Sequence, residues 1–234
     1  MGSDVRSLGT VLGVWAHPDD ECYLSGGLMA AAVRAGCRVV CVTATRGENA
    51  DPDRWDPPEL ARIRERELYE ALSILGVTEH RWLGYEDGAC HTVDPRVAAG
   101  RVARIVDEVR PDTVLTFGPD GMTGHGDHRA VSAWTERALA LAGSDAKLHY
   151  ATHTPEWVEA FEAMGRALDV MMGADALPVT PPDALAIDHR VDGELLDLKE
   201  RAMLAQHSQV HELRSRVGAH AYRELLREEA FRHP

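Results

Sequence analysis

Two short stretches of the sequence combine histidine and aspartate at spacings that suit a metal ion. The first, residues 16–21, has the sequence Ala-His-Pro-Asp-Asp-Glu. Acidic residues at a helix start are stabilised by its unpaired amides and dipole, but this does not explain the imidazole beside them. Neutral imidazole and carboxylate are usual ligands of catalytic zinc. A turn that carries His17 and Asp20 three residues apart can direct both toward one ion, and this leaves Asp19 free for another task.

The second stretch, residues 118–128, has the sequence Gly-Pro-Asp-Gly-Met-Thr-Gly-His-Gly-Asp-His. Its glycine and proline residues predict a tight loop whose backbone can approach a ligand closely. A single loop histidine is most simply a surface residue. Two histidines, His125 and His128, flank Asp127 in this loop, and that combination indicates a site.

Each of the two stretches follows a short apolar segment, and such segments alternate with helical patterns along the first 150 residues. This alternation predicts a mostly parallel sheet with helices on both faces, a Rossmann-like three-layer α/β fold. Glycine at position 76 is expected to end the second helix. The predicted strands are 10–16, 38–43, 80–83, 113–117 and 147–151, and the predicted helices are 24–35, 59–75, 96–109 and 127–141.

The pattern weakens beyond residue 152, and we interpret the remainder as C-terminal additions to a single domain that spans residues 1–234. The charged residues of 223–232 are expected to form a solvated helix face. The predictions for this part are helices at 156–171, 195–206 and 221–231, a loop at 178–182 and an edge strand at 184–189.

The predicted fold brings the two stretches together. If strands 10–16 and 113–117 are neighbours at the point where the strand order reverses, both loops border one crevice. Three ligands from two loops, with a fourth position open to water, form a catalytic rather than a structural site. Two histidines and one carboxylate also suit ferrous iron, so both Zn²⁺ and Fe²⁺ remain open.

The bulk properties exclude several classes of partner. A formal net charge of −13 disfavours binding to nucleic acid or to an anionic membrane. The four cysteines form no Cys-x-x-Cys pair, which argues against a thiolate metal site. No secretory signal and no run of ~18 apolar residues is visible. We therefore expect a cytoplasmic protein, and a homo-oligomer is compatible with the sequence.

The two stretches resemble the signature motifs of the LmbE-like, or PIG-L, zinc deacetylases. This family acts on N-acetylglucosaminyl compounds and includes deacetylases of mycothiol and bacillithiol synthesis. The resemblance runs over most of the chain. Further matches are Thr-Arg-Gly-Glu at 45–48, Arg64 and Glu67 of an Arg-x-x-Glu helix, Asp87 within 84–88, and the late residues Lys199, Ala202, His207, Ser208 and Gln209.

The resemblance implies a metal-dependent hydrolase that deacetylates an N-acetylglucosamine-like substrate by means of a zinc-bound water. In this assignment Asp19 is the general base, and His125 assists on the far side of the reacting carbonyl. Asp127 lies beside His125 and could hold it cationic. Some relatives carry tyrosine two residues before the first histidine of the second motif, where this chain has Thr123. The implied metal ligands are His17, Asp20 and His128.

The resemblance also implies a small amino-sugar or glycoconjugate substrate, held in part by Arg64 and Asp87. Arg46 and Glu48 could bind substrate hydroxyls or could pair with each other, because Arg–carboxylate pairs are common near loops. His207 could face the site, or it could cap the C-terminus of its helix, where a cation is favourable.

Three other functions compete with this hypothesis. A nucleotide-binding domain would need a glycine-rich turn after the first strand, and the acids found there would repel a pyrophosphate. An amidase that cleaves a larger amide, such as a thiol conjugate, would use the same catalytic groups. A non-catalytic metal-binding protein would not require Asp19 or His125.

Overall fold

A computed structural model describes residues 5–165 and 177–234. Its strands are β1 (Val11–Trp15), β2 (Val39–Thr43), β3 (Glu79–Trp82), β4 (Thr113–Phe117), β5 (Lys147–Thr152), β6 (Leu185–Arg190) and β7 (Glu228–Arg232). Its helices are α1 (Asp20–Arg34), α2 (Pro57–Leu75), α3 (Pro95–Val109), α4 (Gly126–Ala142), α5 (Pro155–Gly165), α6 (Gly193–Ala205), α7 (His207–Val217) and α8 (Ala219–Leu225).

The described strands form one sheet in the order β3-β2-β1-β4-β5-β7-β6. β1 pairs in parallel with both β2 and β4, so the strand order reverses at the β1–β4 pair, which meets the condition for both motif loops to border one crevice. Because crossovers are right-handed, the reversal places α1 and α2 on one face and α3 and α4 on the other. α6 packs beside α1 and α2, and α3 packs against α4. The predicted α/β fold with a mostly parallel sheet is confirmed.

Buried strands at the centre of the sheet explain why this part of the prediction succeeds. Every residue of β1, β2 and β4 is buried. Strands that are covered on both faces have continuous apolar sequences, which are conspicuous in the chain. Trp15 and Phe117 meet edge to face in the core, with ring centroids 5.3 Å apart.

Two helix ends next to the sheet set the geometry of the connecting turns. α2 ends at Leu75, and Gly76 adopts the left-handed conformation with φ of 79°, as predicted for a C-cap glycine. α1 begins at Asp20, earlier than the predicted start at residue 24. Asp20 is therefore the first residue of a helix, while His17 and Asp19 lie in the turn that leads from β1.

The C-terminal part differs from the prediction in one important respect. The predicted helix 221–231 is confirmed for residues 221–225 and wrong beyond them, because α8 ends at Leu225 and β7 then inserts antiparallel between β5 and β6. The predicted solvated face of 223–232 is also wrong, since Glu229 is only 1% exposed and Phe231 is fully buried. The Glu229 carboxylate lies 2.7 Å from the buried Lys199 ammonium, so tertiary pairing outweighs the helical composition of this segment.

The other C-terminal predictions are closer to the structure. The edge strand predicted at 184–189 is confirmed as β6, and the helix predicted at 195–206 is confirmed as α6. α5 covers the first part of the predicted helix 156–171, and residues 166–171 lie outside the described residues. α7 was not predicted. Within 5–165 and 177–234, no helix is both long and apolar enough to cross a membrane.

Candidate active site and metal centre

The turn after β1 holds an aspartate in an unusual backbone conformation. The His17 backbone N–H donates to Oδ2 of Asp20 at 2.8 Å, which closes the turn. Asp19 between them has a φ of 95°, a value that few residues other than glycine adopt. Such conformations cost free energy and persist only where surrounding contacts enforce them. The turn therefore directs the Asp19 carboxylate separately from that of Asp20.

Three donor atoms from the two loops converge on one point. Nδ1 of His17 lies 3.2 Å from Nε2 of His128 and 3.5 Å from Oδ2 of Asp20. Nε2 of His128 lies 3.4 Å from Oδ1 of Asp20. Ligand atoms about 2.0–2.2 Å from a tetrahedral zinc ion are separated by about 3.3–3.6 Å. The spacing of these three groups therefore fits a shared zinc ion.

Hydrogen bonds behind the two histidines favour the tautomers that direct a coordinating nitrogen toward the other proposed ligands. Nε2 of His17 faces Oδ1 of Asp87 at 3.0 Å and Oδ2 of Asp127 at 3.3 Å. Nδ1 of His128 lies 3.0 Å from the carbonyl oxygen of Gly121. Each acceptor favours a ring proton on the far nitrogen, which is the tautomer whose near nitrogen can coordinate a metal. Burial lowers the pKa of His17, but hydrogen bonds with Asp127, Asp20 and Asp87 raise it well above its usual range, so in the metal-free protein this ring keeps a second proton that a metal ion would displace.

Burial and charge set the protonation of two proposed ligands. Burial lowers the pKa of His128 to about 4 despite the adjacent Asp20 carboxylate, so its imidazole is neutral at pH 7. Burial alone would raise the pKa of Asp20, but His128 and His17 lower it to about 2. Both side chains are thus in the form that coordinates a cation.

His125 lies next to these ligands but has a different hydrogen-bond arrangement. It is the N-cap of α4, where its Nδ1 accepts the backbone N–H of Asp127 at 3.2 Å. Because Nδ1 accepts this bond, Nε2 is the nitrogen that can donate a hydrogen bond. The three imidazoles of His17, His125 and His128 each offer a ring nitrogen within 4.8 Å of the others.

The carboxylate of Asp127 does not hold His125, contrary to the expectation from the sequence. Its Oδ2 accepts the backbone N–H of Gly88 at 2.7 Å and faces Nε2 of His17, and its Oδ1 accepts the N–H of Cys90 at 3.0 Å. The expectation is corrected because the hydrogen bonds differ: His125 accepts the backbone N–H of Asp127, while the Asp127 carboxylate points to His17. Asp127 thus orients a proposed metal ligand.

Asp19 stands outside the converging set and contacts an arginine. Its Oδ2 lies 3.2 Å from Nη2 of Arg64, which is only 3% exposed. The same guanidinium donates to the carbonyl oxygens of Pro18 and Gly47. Burial raises the pKa of Asp19 to about 7, and the charge of Arg64 limits the rise. A carboxylate with such a pKa can exchange protons near neutral pH.

The four residues predicted to bind substrate lie near the site, but their side chains already have protein partners. The carboxylate of Asp87 faces Nε2 of His17 and also accepts the backbone N–H of Asn49 at 2.9 Å. Glu48 accepts the backbone N–H groups of Asp87 and Arg46. The Arg46 guanidinium pairs with Glu65 at 3.0 Å rather than with Glu48. Arg64, described above, contacts Asp19. Their roles toward substrate stay predictions.

The structure shows two features that sequence reasoning missed or left undecided. Glu21 is fully buried next to Asp19, and its Oε1 accepts a hydrogen bond from Gln206 Nε2 at 2.7 Å. The run of acids in 16–21 was the only available signal for it. His207 begins α7 and its ring contacts His211, so it does not cap the C-terminus of α6.

A cavity of about 350 Å³ borders Asp19, Asp20 and His128. Thr123 also lines it, and the hydroxyl of this residue has no hydrogen-bond partner among the described residues. A recess of about 520 Å³ lies at the opposite ends of the strands, between α3 and the α4–β5 connection, and none of the proposed catalytic residues lines it. The smaller cavity is therefore the one associated with the candidate site.

Comparison with known proteins places the chain in a family. A family profile described as PIG-L, GlcNAc-PI de-N-acetylase, matches residues 12–139, more than half of the chain and all of both motifs. The chain belongs to the PIG-L family. Its membership confirms the resemblance drawn from the sequence motifs.

Relatives of this PIG-L protein include 1D-myo-inositol 2-acetamido-2-deoxy-alpha-D-glucopyranoside deacetylases. That of Kineococcus radiotolerans is 39% identical over 165 residues, which cover 58% of this chain and 46% of the relative. That of Acidothermus cellulolyticus is 33% identical, with 88% of this chain and 80% of the relative covered. The chain spans about half the length of the first curated relatives it matches.

The fold also matches solved structures. A conserved protein of Thermus thermophilus is 25% identical, with a TM-score of 0.64, and the match covers 96% of this chain and 94% of that one. The fold is thus shared by a protein of nearly the same extent.

Proposed function

We propose that this PIG-L protein is a metal-dependent hydrolase that removes the acetyl group from an N-acetylglucosamine-like substrate. The convergence of His17 Nδ1, Asp20 and His128 Nε2 within 3.2–3.5 Å of one another carries the proposal. These groups border a cavity together with Asp19, a carboxylate with a pKa near 7. The deacetylases named among its relatives support the choice of an N-acetyl amino sugar.

Zinc is the ion that we assign to the three ligands. The donor set of two imidazole nitrogens and one carboxylate fits Zn²⁺, and Fe²⁺ is the alternative ion for the same ligands. When bound, the ion supplies Lewis-acid activation of water and of the amide carbonyl.

The side chains around the ligands then carry the proton transfers. Asp19 accepts a proton from water as the water oxygen attacks the amide carbon. The Nε2–H of His125 donates a hydrogen bond to the oxyanion that develops on the carbonyl oxygen. As the C–N bond breaks, the Asp19 carboxyl returns its proton to the leaving nitrogen. The products are the free amine and acetate.

For the four residues predicted to bind substrate we propose two kinds of role. Arg46 and Glu48 lie on the loop after β2, where they can face sugar hydroxyls. Arg64 and Asp87 contact Asp19 and His17 directly. We propose that substitution of Arg64 acts first on Asp19, the proposed base, and that substitution of Asp87 acts first on His17, a proposed metal ligand. Effects on substrate binding are secondary.

Release of amine from N-acetylated compounds by the purified, metal-loaded protein tests the proposal. The panel contains N-acetylglucosamine, N-acetylglucosaminyl glycosides such as the inositol conjugate, and thiol conjugates with larger amides. His128→Ala is expected to abolish turnover, and His220→Ala, on an exposed surface, is its matched control. Cleavage of non-sugar amides alone would support the rival amidase. Metal binding without any turnover would support the non-catalytic alternative.

A further inference from the structure

The proposed base occupies the N-cap of α1 without capping the helix through its side chain. Aspartate at an N-cap ordinarily accepts a hydrogen bond from an amide of the first turn. Among the described residues of that turn, none donates to the Asp19 carboxylate, although the Asp19 carbonyl oxygen accepts the amides of Cys22 and Tyr23 at 3.0 and 2.9 Å. The carboxylate meets Arg64 instead, so other contacts must hold the backbone of Asp19.

Glu21 holds the Asp19 backbone through its side chain. Its Oε2 accepts the Asp19 backbone N–H at 3.1 Å, a bond of the kind that the acid of a capping box makes to an N-cap residue. A residue with a φ of 95° keeps that conformation only where contacts enforce it. Because Glu21 is fully buried, water does not replace it as the acceptor. The bond therefore helps to set the direction in which the Asp19 carboxylate points.

Gln206 holds the other oxygen of the Glu21 carboxyl group. Its Nε2 donates to Oε1 of Glu21 at 2.7 Å, and its side chain is almost completely buried. Gln206 joins α6 to α7: its N–H donates to the carbonyl oxygen of Met203 at 3.0 Å, and its own carbonyl oxygen accepts the N–H of Val210 at 3.1 Å. Since two helices fix its main chain, Gln206 is a stationary partner for Glu21.

The contact between Gln206 and Glu21 lies outside the substrate cavity. Within the described residues, the walls of the cavity beside the candidate metal ligands include neither Glu21 nor Gln206. A substrate bound in the cavity therefore does not reach these side chains. A substitution at either position can change turnover only by displacing the turn that carries Asp19 and Asp20. Metal content separates the two effects, because Asp20 is a proposed ligand and Asp19 is not.

We propose that Gln206 is a positioning residue for the proposed base, and that it acts through Glu21 on the backbone of Asp19. Arg64 holds the Asp19 carboxylate, while the Gln206–Glu21 contact holds the Asp19 N–H. The proposal rests on the proposed function, because it gives Gln206 and Glu21 a part in the same hydrolysis. Glu21 acts in it as a hydrogen-bond acceptor and takes no proton from water or substrate.

Gln206→Met keeps the approximate size of the side chain and removes the donor. We expect kcat for an N-acetyl amino sugar to fall roughly 10–100-fold, because small displacements of a catalytic group have effects of that order. KM and metal content should not change, since Gln206 donates to neither a cavity residue nor a proposed ligand. A folded Gln206→Met protein with wild-type kcat, or with a change in KM alone, would overturn the inference.

Thr113→Val is the matched control for loss of a buried hydrogen bond. The Thr113 hydroxyl donates to the carbonyl oxygen of Leu8 at 2.7 Å, and Thr113 begins β4 at the opposite end of the strand from the site. The control should therefore lose stability but retain kcat. An equal loss of kcat in Thr113→Val and Gln206→Met would reduce Gln206 to a structural role.

Two substitutions of Glu21 separate positioning from chemistry. Glu21→Gln keeps an acceptor for the Asp19 N–H, and the Gln206 amide can turn to accept the N–H that the new side chain donates. Glu21→Met removes both bonds. We expect kcat to remain close to the wild-type value in Glu21→Gln and to fall in Glu21→Met about as far as in Gln206→Met. An equal loss in both Glu21 variants would make the carboxylic acid part of the reaction and would overturn the positioning role.

Hydrogen exchange of the Asp19 amide separates failure of this inference from failure of the proposed function. NMR of the ¹⁵N-labelled, Zn²⁺-loaded protein measures the exchange rate without any substrate. The rate is expected to rise about tenfold or more in Gln206→Met and Glu21→Met, and to remain low in Glu21→Gln and Thr113→Val. If the wild type cleaves no N-acetyl amino sugar, the proposed function fails, and a raised rate in Gln206→Met would still support the contact. An unchanged rate in a folded Gln206→Met protein would overturn the inference alone.

Discussion

Nη2 of Arg64 lies 3.2 Å from Oδ2 of Asp19, and the same guanidinium donates to the carbonyl oxygen of Pro18 just before it. One arginine thus holds the side chain of a turn residue with a φ of 95° and the backbone of the residue before it. We infer that Arg64 positions the proposed base, in addition to any contact with substrate.

Arg64→Lys keeps the charge but loses the planar fork that reaches three acceptors. We expect kcat to fall roughly 10²-fold, because small displacements of a catalytic group have effects of that size. Metal content should be unchanged, and so should the activity of Arg62→Lys, an exposed control on the same helix. Steady-state kinetics decide the matter: a raised KM with unchanged kcat would instead assign Arg64 to substrate binding alone.

Asp127→Asn removes a carboxylate that faces Nε2 of His17 at 3.3 Å. Loss of such an acceptor behind a ligating histidine typically weakens metal affinity by about 10–100-fold. Competition with a chromogenic chelator measures the change, and Asp107→Asn on an exposed position of α3 serves as the control. Unchanged affinity in a correctly folded Asp127→Asn protein would show that His17 does not depend on this carboxylate.

Glu21 makes the stability of the metal-free protein depend on pH. Burial raises its pKa from 4.5 to about 8, and the nearby Asp19 carboxylate adds to the shift. The folded protein therefore keeps a proton that the unfolded chain loses above pH 4.5, so this group lowers the free energy of unfolding as pH rises toward 8.

Glu21→Gln removes this titration. The free energy of unfolding of Glu21→Gln minus that of wild type should increase by roughly 1–3 kcal/mol as pH rises from 5 to 8. One pKa unit corresponds to about 1.4 kcal/mol. Urea unfolding in the presence of a chelator measures the difference, with the exposed Glu194→Gln as control. A pH-independent difference between Glu21→Gln and wild type would mean that Glu21 is ionised in the folded protein at neutral pH.

His125 combines an N-cap with a proposed hydrogen-bond donor, and two substitutions separate these tasks. His125→Ala should lose about 1 kcal/mol of stability and roughly 10²–10³-fold in kcat. His125→Asn restores an N-cap acceptor and should recover the stability, while kcat stays low. Thermal unfolding and kcat are measured on the same preparations. Recovery of kcat together with stability would reduce His125 to a structural role.

The sequence was sufficient to predict the centre of the fold and the position of the site. The strand at 113–117 is fully buried and hence largely apolar, and Gly76 ends α2 for a local conformational reason. Residues that follow β1 and β4 must meet at one edge of a parallel sheet, and the structure does bring His17 and His128 together. Their roles as ligands remain predictions.

The sequence was insufficient where distant contacts decide the structure. Residues 221–231 have the composition of a helix, and β7 forms because Glu229 and Phe231 are buried against other elements. The cavity beside Asp19 combines side chains from α5 and α7, elements far apart in the chain, so no local pattern reveals it. The partner of Asp127 depends on the orientation of one side chain, which spacing along the chain does not specify.

Metal content and turnover of Asp19→Asn, measured in the same preparation, test the central claim most directly. Asparagine keeps the size of the side chain but removes its basicity, and general-base transfer contributes about 10²–10⁴-fold to rate. We predict a fully metal-loaded protein whose kcat for an N-acetyl amino sugar is reduced by that factor. A metal-free Asp19→Asn protein would make Asp19 a ligand, and a metal-loaded protein with wild-type kcat would place the base elsewhere, so either result would contradict the mechanism.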